Sequence, residues 1–145
     1  MERNDAGIWK TDDTIGDLLT KGRGEAVVLA GRYKVVRKLG EGGMGSVWLA
    51  EDAKLDGRKV AIKMLPVVLA TNARAIGQLK AEAKVALQLS HPKIVALRSF
   101  EDSDEGAFLV MDYVPGKTLE QILAEKGMLP EAEVLQIFKP VAEAL

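Results

Sequence analysis

Cysteine is absent from the 145 residues, which removes disulfides, thiolate nucleophiles and cysteine-built metal sites. The absence suits a reducing compartment, so a cytoplasmic location is expected. Histidine occurs once, as His91 before Pro92, and reads as a residue that closes a helix, not as an acid or base. A dominant charge is lacking too: 20 Lys and Arg face 21 Asp and Glu, a net charge of −1. Such balance gives no reason to expect nucleic acid or an anionic membrane surface as partner. No apolar run reaches the roughly 18 residues of a membrane span. Met1-Glu2-Arg3-Asn4-Asp5 lacks the basic-then-apolar pattern of a secretory leader, and none is expected there. With 48% hydrophobic and 28% charged residues, the chain has the balance of a soluble globular domain with a real core.

Residues 1–31 carry little pattern and read as an N-terminal extension, with one apolar helical turn at Ile15, Leu18 and Leu19 and a short strand at Ala26 to Leu29. From Tyr33 the texture changes. Tyr33, Val35, Arg37 and Leu39 alternate with Lys34, Val36 and Lys38 as in a strand. After the glycine cluster Gly40 to Gly45, Ser46 to Ala50 alternates as a second strand. Asp56-Gly57 suits a tight turn, and Lys59 to Leu65 is a third strand, so the three form an antiparallel meander.

Between Thr71 and Leu89, Ile76, Leu79, Ala83 and Ala86 recur at helical spacing, with Thr71 or Asn72 as the cap. Ile94 to Phe100 and Ala107 to Asp112 are two further strands. Thr118 and Gln121 have the spacing of a capping box for a helix from Leu119 to Lys126, ended by Gly127. Pro130 opens a final helix with an apolar stripe of Val134, Ile137, Phe138, Val141 and Leu145.

Gly40-Glu41-Gly42-Gly43-Met44-Gly45 has the spacing G-x-G-x-x-G, which ordinary hairpins and dinucleotide-binding folds share. A dinucleotide fold needs a helix directly after the glycines, and here a strand follows. A strand–glycine loop–strand hairpin can instead lay backbone N–H groups over phosphates. Gly116-Lys117-Thr118 is not the end of a P-loop, because Met111 stands where that motif needs glycine. In Val60-Ala61-Ile62-Lys63 a lysine interrupts an apolar strand, 18 residues after Gly45. It is either a solvated edge residue or a cation returned beneath the glycine loop. Glu82, the only acid on the 71–89 helix, borders its inward stripe and by spacing alone is equally a surface charge.

The glycine loop, Val47, the Val-Ala-Ile-Lys strand, a helix bearing Glu82, His91-Pro92-Lys93-Ile94-Val95 and Val110-Met111-Asp112-Tyr113-Val114 follow one another in an order that resembles the protein kinases. The stretch from Leu39 to Trp48 looks most like bacterial (Hanks-type) serine/threonine kinases. The resemblance covers residues 32–145 and implies an α+β fold: a kinase N-lobe with a five-stranded antiparallel sheet and one αC-type helix over 32–114, then the first helices of the C-lobe over 115–145.

It also implies ATP as ligand, with Gly40, Glu41, Gly42, Gly43, Met44 and Gly45 over the phosphates. Lys63 would contact the α- and β-phosphates and pair with Glu82. Leu39, Val47 and Ala61 would cover adenine, Val95 would line the back, Met111 would be the gatekeeper, and the backbones of Asp112 and Val114 would bond the adenine edge.

The catalytic H-R-D and the D-F-G that holds Mg2+ do not occur in these 145 residues, so no base or metal ligand is assigned. The expectation is a parent serine/threonine kinase acting on proteins through a C-lobe that is not here, and inactivity of these residues alone. A pseudokinase or regulatory nucleotide- or partner-binding module is the alternative, and a scaffold that merely keeps the sheet is a third. The apolar stripe of the final helix would favour self-association.

Overall fold

The computed structural model describes residues 26–42, 45–66 and 72–145. The turn expected at Ile15, Leu18 and Leu19, the loop tip Gly43-Met44 and the cap Thr71 lie outside the described residues. Six strands, β1 (Val28–Leu29), β2 (Tyr33–Gly42), β3 (Gly45–Asp52), β4 (Arg58–Met64), β5 (Leu97–Ser103) and β6 (Gly106–Asp112), form one sheet in the order β1-β2-β3-β4-β6-β5. Every neighbouring pair is antiparallel. Among the described residues three α-helices accompany the sheet: α1 (Ala73–Ala86) between β4 and β5, then α2 (Leu119–Lys126) and α3 (Glu131–Ala144) after it.

The α+β arrangement is the expected one, with a correction to the strand count. The sheet has six strands, not five, because Val28–Leu29 pairs with Tyr33 and Lys34. Leu29 is fully buried, and Val27 packs against the same core. Residues assigned to a leading extension therefore supply core and main-chain bonds, including Val35 N–H to Val27 C=O at 2.8 Å.

Period-two alternation builds the core. Trp48 and Ala50 on β3, Val60, Ile62 and Met64 on β4, and Phe108 and Val110 on β6 point to one side, with Tyr33 and Val35 of β2. Tyr33 and Phe108 meet edge to face, centroids 6.0 Å apart. Asp56 and Gly57 take left-handed φ angles (51° and 74°) in the turn before β4, as an Asp-Gly pair permits.

α1 and α2 begin where side chains satisfy their first N–H groups, whereas α3 follows Pro130 without a side-chain cap. Asn72 Oδ1 accepts from Arg74 and Ala75, and Thr118 with Gln121 closes a full capping box. α1 buries Ala83 and half-buries Ile76, Leu79 and Ala86, the stripe its spacing predicts. β5 starts at Leu97, later than the expected Ile94. Ile94 is held in a turn instead, donating to His91 C=O at 3.1 Å, while His91 Nδ1 accepts from Lys93 N–H. The single histidine thus organises backbone after α1. No helix among the described residues is long and apolar enough to cross a membrane.

Candidate functional site

A cleft of about 410 Å³ opens between the sheet and the segment that leaves β6. Its walls include Leu39, Ala61, Val95, Met111, Asp112 and Val114, six of the residues singled out in the sequence. They arrive from β2, β4, the turn before β5, the end of β6 and the segment beyond it. Cross-strand register explains the gathering: Leu49, Ala61, Met111 and Leu97 are successive partners across β3, β4, β6 and β5. Ala61 leaves room there that a larger side chain would fill.

Leu39 reaches this face through an irregularity. The β2–β3 register shifts between Val35 and Arg37 and again between Lys38 and Gly40. An extra residue in one strand turns the following side chains to the other face. Tyr33 and Val35 point into the core, whereas Arg37 pairs with Leu49 and lines the cleft together with Leu39. Lys38 turns the other way, with its ammonium 5.2 Å from the Trp48 ring and 2.7 Å from Glu41. Arg37, Tyr113, Gly116, Thr118 and Gln121 line the cleft and were not singled out as site residues. Thr118 and Gln121 were read only as a cap, yet the cap sets the start of α2 at the cleft rim.

Lys63 lies one strand step beyond Ala61 on the same face, half-buried, paired with Val47 on β3 and Leu109 on β6. Gly40, Glu41 and Gly42 end β2 opposite Val47, Ser46 and Gly45, so the described part of the glycine segment is a hairpin closing over that edge. Gly43 and Met44 lie outside the described residues.

The structure does not bring the expected Lys63–Glu82 pair together: no ion pair joins them among the described residues. Glu82 is exposed, because the buried position of that turn is Ala83. α1 is fastened elsewhere, through Lys80, whose ammonium lies 2.9 Å from Asp102 and 5.5 Å from the centre of the Phe100 ring on β5.

Asp112 brings a carboxylate to the rim of the cleft. Its side chain accepts two hydrogen bonds from Arg98, at 2.8 and 2.7 Å, and its backbone N–H donates to Ala96 C=O at 3.0 Å. The Arg98 bonds hold its carboxyl below the ordinary range against the opposing effect of burial. Among the described residues no group of three or more His, Cys, Asp or Glu could hold a metal ion, so no step is assigned to one.

Comparison with known proteins bears on this cleft. The protein kinase domain family matches residues 33–145. Serine/threonine-protein kinase PrkC of Bacillus subtilis (strain 168) is 38% identical over 117 residues, covering 81% of this chain and 18% of PrkC. Serine/threonine-protein kinase pkn2 of Myxococcus xanthus is 40% identical over 121 residues, covering 83% of this chain and 14% of pkn2. A double mutant of the Mycobacterium tuberculosis PknI kinase domain has a TM-score of 0.72 at 35% identity, covering 82% of this chain and 49% of that one. The chain thus spans a small part of these curated relatives and about half of the solved kinase domain.

Proposed function

The chain belongs to the protein kinase family, and on that premise we propose that residues 32–114 are the ATP-binding lobe of a serine/threonine protein kinase, with 115–145 beginning its second lobe. The observation that carries this reading is the convergence of Leu39, Ala61, Val95, Met111, Asp112 and Val114 on one cleft. Apart from Asp112 they supply an apolar wall, with Arg37, Asp112, Thr118 and Gln121 as polar groups around it, a combination that suits a nucleotide base site.

In this reading Leu39, Val47 and Ala61 cover the adenine, and Val95 and Met111 close the back. The C=O of Asp112 and the N–H of Val114 take the polar edge. The N–H of Val114 makes no backbone hydrogen bond among the described residues, so it is available to a ligand. The Gly40–Gly45 hairpin lies over the phosphates, and Lys63 neutralises them from beneath. Glu82 can support Lys63 only after α1 turns, since it now faces solvent.

Phosphoryl transfer depends on positioning and on charge stabilisation by Mg2+, with a base for the substrate hydroxyl. The 145 residues contain neither the H-R-D nor the D-F-G motif. We therefore assign these residues nucleotide binding and positioning, with transfer to protein Ser or Thr belonging to a whole kinase and not to this stretch alone.

The test is nucleotide titration of the chain against Lys63→Met. Charge-assisted bonds to phosphate are worth about 1.5–3 kcal/mol, so Lys63→Met is expected to weaken ATP by roughly 10- to 150-fold while leaving adenosine unchanged. Equal ATP affinity in the two proteins would remove Lys63 from the site.

A further inference from the structure

Asp112 also lines a second cavity, of about 230 Å³, on the face of the sheet opposite the cleft. Val60 and Val110 form its floor. Its rim is a row of charges delivered by neighbouring strands. Arg32 precedes β2, Asp52 ends β3, Arg58 opens β4, Asp112 ends β6 and Arg98 lies in β5. In the spatial order of the sheet the signs alternate, beginning and ending on arginine.

The two ends of the row are closed. Arg32 donates to both oxygens of Asp52 at 2.8 and 2.7 Å, and Arg98 to both of Asp112 at the same distances. The centre is open. Among the described residues Arg58 approaches only Asp112, at 3.6 Å, too long for a hydrogen bond, and its side chain is 55% exposed. Among the lining residues three guanidinium groups face two carboxylates, one positive charge in surplus, with Glu101 the further carboxylate that acts on Arg32 at one end of the row. Both carboxylates are held below the ordinary range by their arginines, so the surplus persists at neutral pH.

Ser99 supplies a further donor. Its Oγ is buried without a hydrogen-bond partner, alone in this among the described side chains. The Tyr33 hydroxyl is its polar neighbour and is influenced by it, yet no hydrogen bond to Oγ is completed. A buried hydroxyl left unpaired is costly, and native structures seldom keep one without use. A cavity this size holds several times the roughly 30 Å³ share of one water.

We propose that this cavity binds a phosphate-type oxyanion, held by the Arg58 guanidinium and the Ser99 hydroxyl behind the segment that carries Asp112. The planar guanidinium fork fits two phosphate oxygens at once. The source is inorganic phosphate or the phosphate of a modified serine or threonine, which present the same oxygens.

Calorimetric titration of the full chain with inorganic phosphate, and separately with a phosphoserine peptide, tests the site. Arg58→Gln, Ser99→Ala and Lys63→Met are titrated alongside, with far-ultraviolet circular dichroism to confirm folding. Arg58→Gln is expected to weaken binding at least tenfold and Ser99→Ala by less, while Lys63→Met leaves it unchanged. Tighter binding of the peptide assigns the site to a phosphorylated side chain, and equal binding assigns it to the free ion. The proposal is overturned if neither probe binds, if folded Arg58→Gln binds like the parent, or if Lys63→Met abolishes binding, which would move the ion to the cleft.

Discussion

Gly45 and the two glycines before it in the motif have different work, and alanine substitution separates them. Gly45 has φ of +110°, where side chains are rarely tolerated. A Cβ built there would stand 2.1 Å from Met64 O, 3.2 Å from Met64 C and 3.4 Å from Pro66 Cδ. The first two are backbone atoms next to the β3–β4 ladder, where Ser46 pairs with Met64, so they cannot swing aside as a side-chain tip would. Left-handed strain of about 1–2 kcal/mol and overpacking of about 1–3 kcal/mol combine to roughly 2–5 kcal/mol. A domain's total stability is about 5–15 kcal/mol, so Gly45→Ala is expected to unfold at much lower denaturant.

Gly40 and Gly42 contrast with it, since a Cβ at either meets nothing within 4 Å and neither has positive φ. Their alanine variants are expected within about 0.5 kcal/mol of the parent. Any loss of ATP affinity there then reports the approach of backbone to phosphate. Urea unfolding of the three variants at equal slope is the assay. A Gly45→Ala midpoint matching the parent would refute the steric reasoning, and strong destabilisation by Gly40→Ala would refute the contrast.

Three further outcomes are expected. Asp52 is buried, and its pKa is lowered chiefly by the Arg32 hydrogen bond, so the unfolded chain takes up its proton first. Its contribution is full above the ordinary carboxylate value of 3.8 and is lost as pH falls through the lower folded value. Acid unfolding of Asp52→Asn should therefore show a shallower pH slope in that window than the parent, and an identical slope would contradict this. Asn72→Ala should cost about 1 kcal/mol by denaturation, because Asn72 caps two N–H groups of α1; no change would mean that those groups find water equally well. The exposed Phe138 and Val141 of α3, with Leu145 just after it, should drive self-association of the 145 residues, seen by sedimentation and reduced by Phe138→Glu; a monomer at all concentrations would oppose it.

The strands, the helical stripe of α1 and the caps were legible because each depends on local periodicity or on a side chain bonding its own turn. Three features were not. The register shifts in β2 reverse the faces of Arg37 and Leu39, and no residue type between Val35 and Gly40 marks them. The outward position of Glu82 follows from which residue of α1 packs on the sheet, Ala83, a choice that spacing within one helix left open. Asp52 was missed despite a usable sign: it continues the buried phase of Trp48 and Ala50, so a charge there called for a partner, which Arg32 supplies. The cleft was legible because a family resemblance could be mapped residue by residue. The second cavity was not, since its charges come from five separate strands or strand ends and only sheet order aligns them.

The two-residue strand β1 has a consequence for behaviour in concentrated solution. Without it, the ten-residue β2 would be a sheet edge, a long row of unpaired main-chain groups inviting another chain to add. β1 covers the start of that row, and the turn at Ala30 and Gly31, both with positive φ, folds the chain back to do so. The leading residues therefore guard against aggregation as well as filling the core. Removing residues 26–31 should expose the start of that edge and at the same time cost the core its buried Leu29.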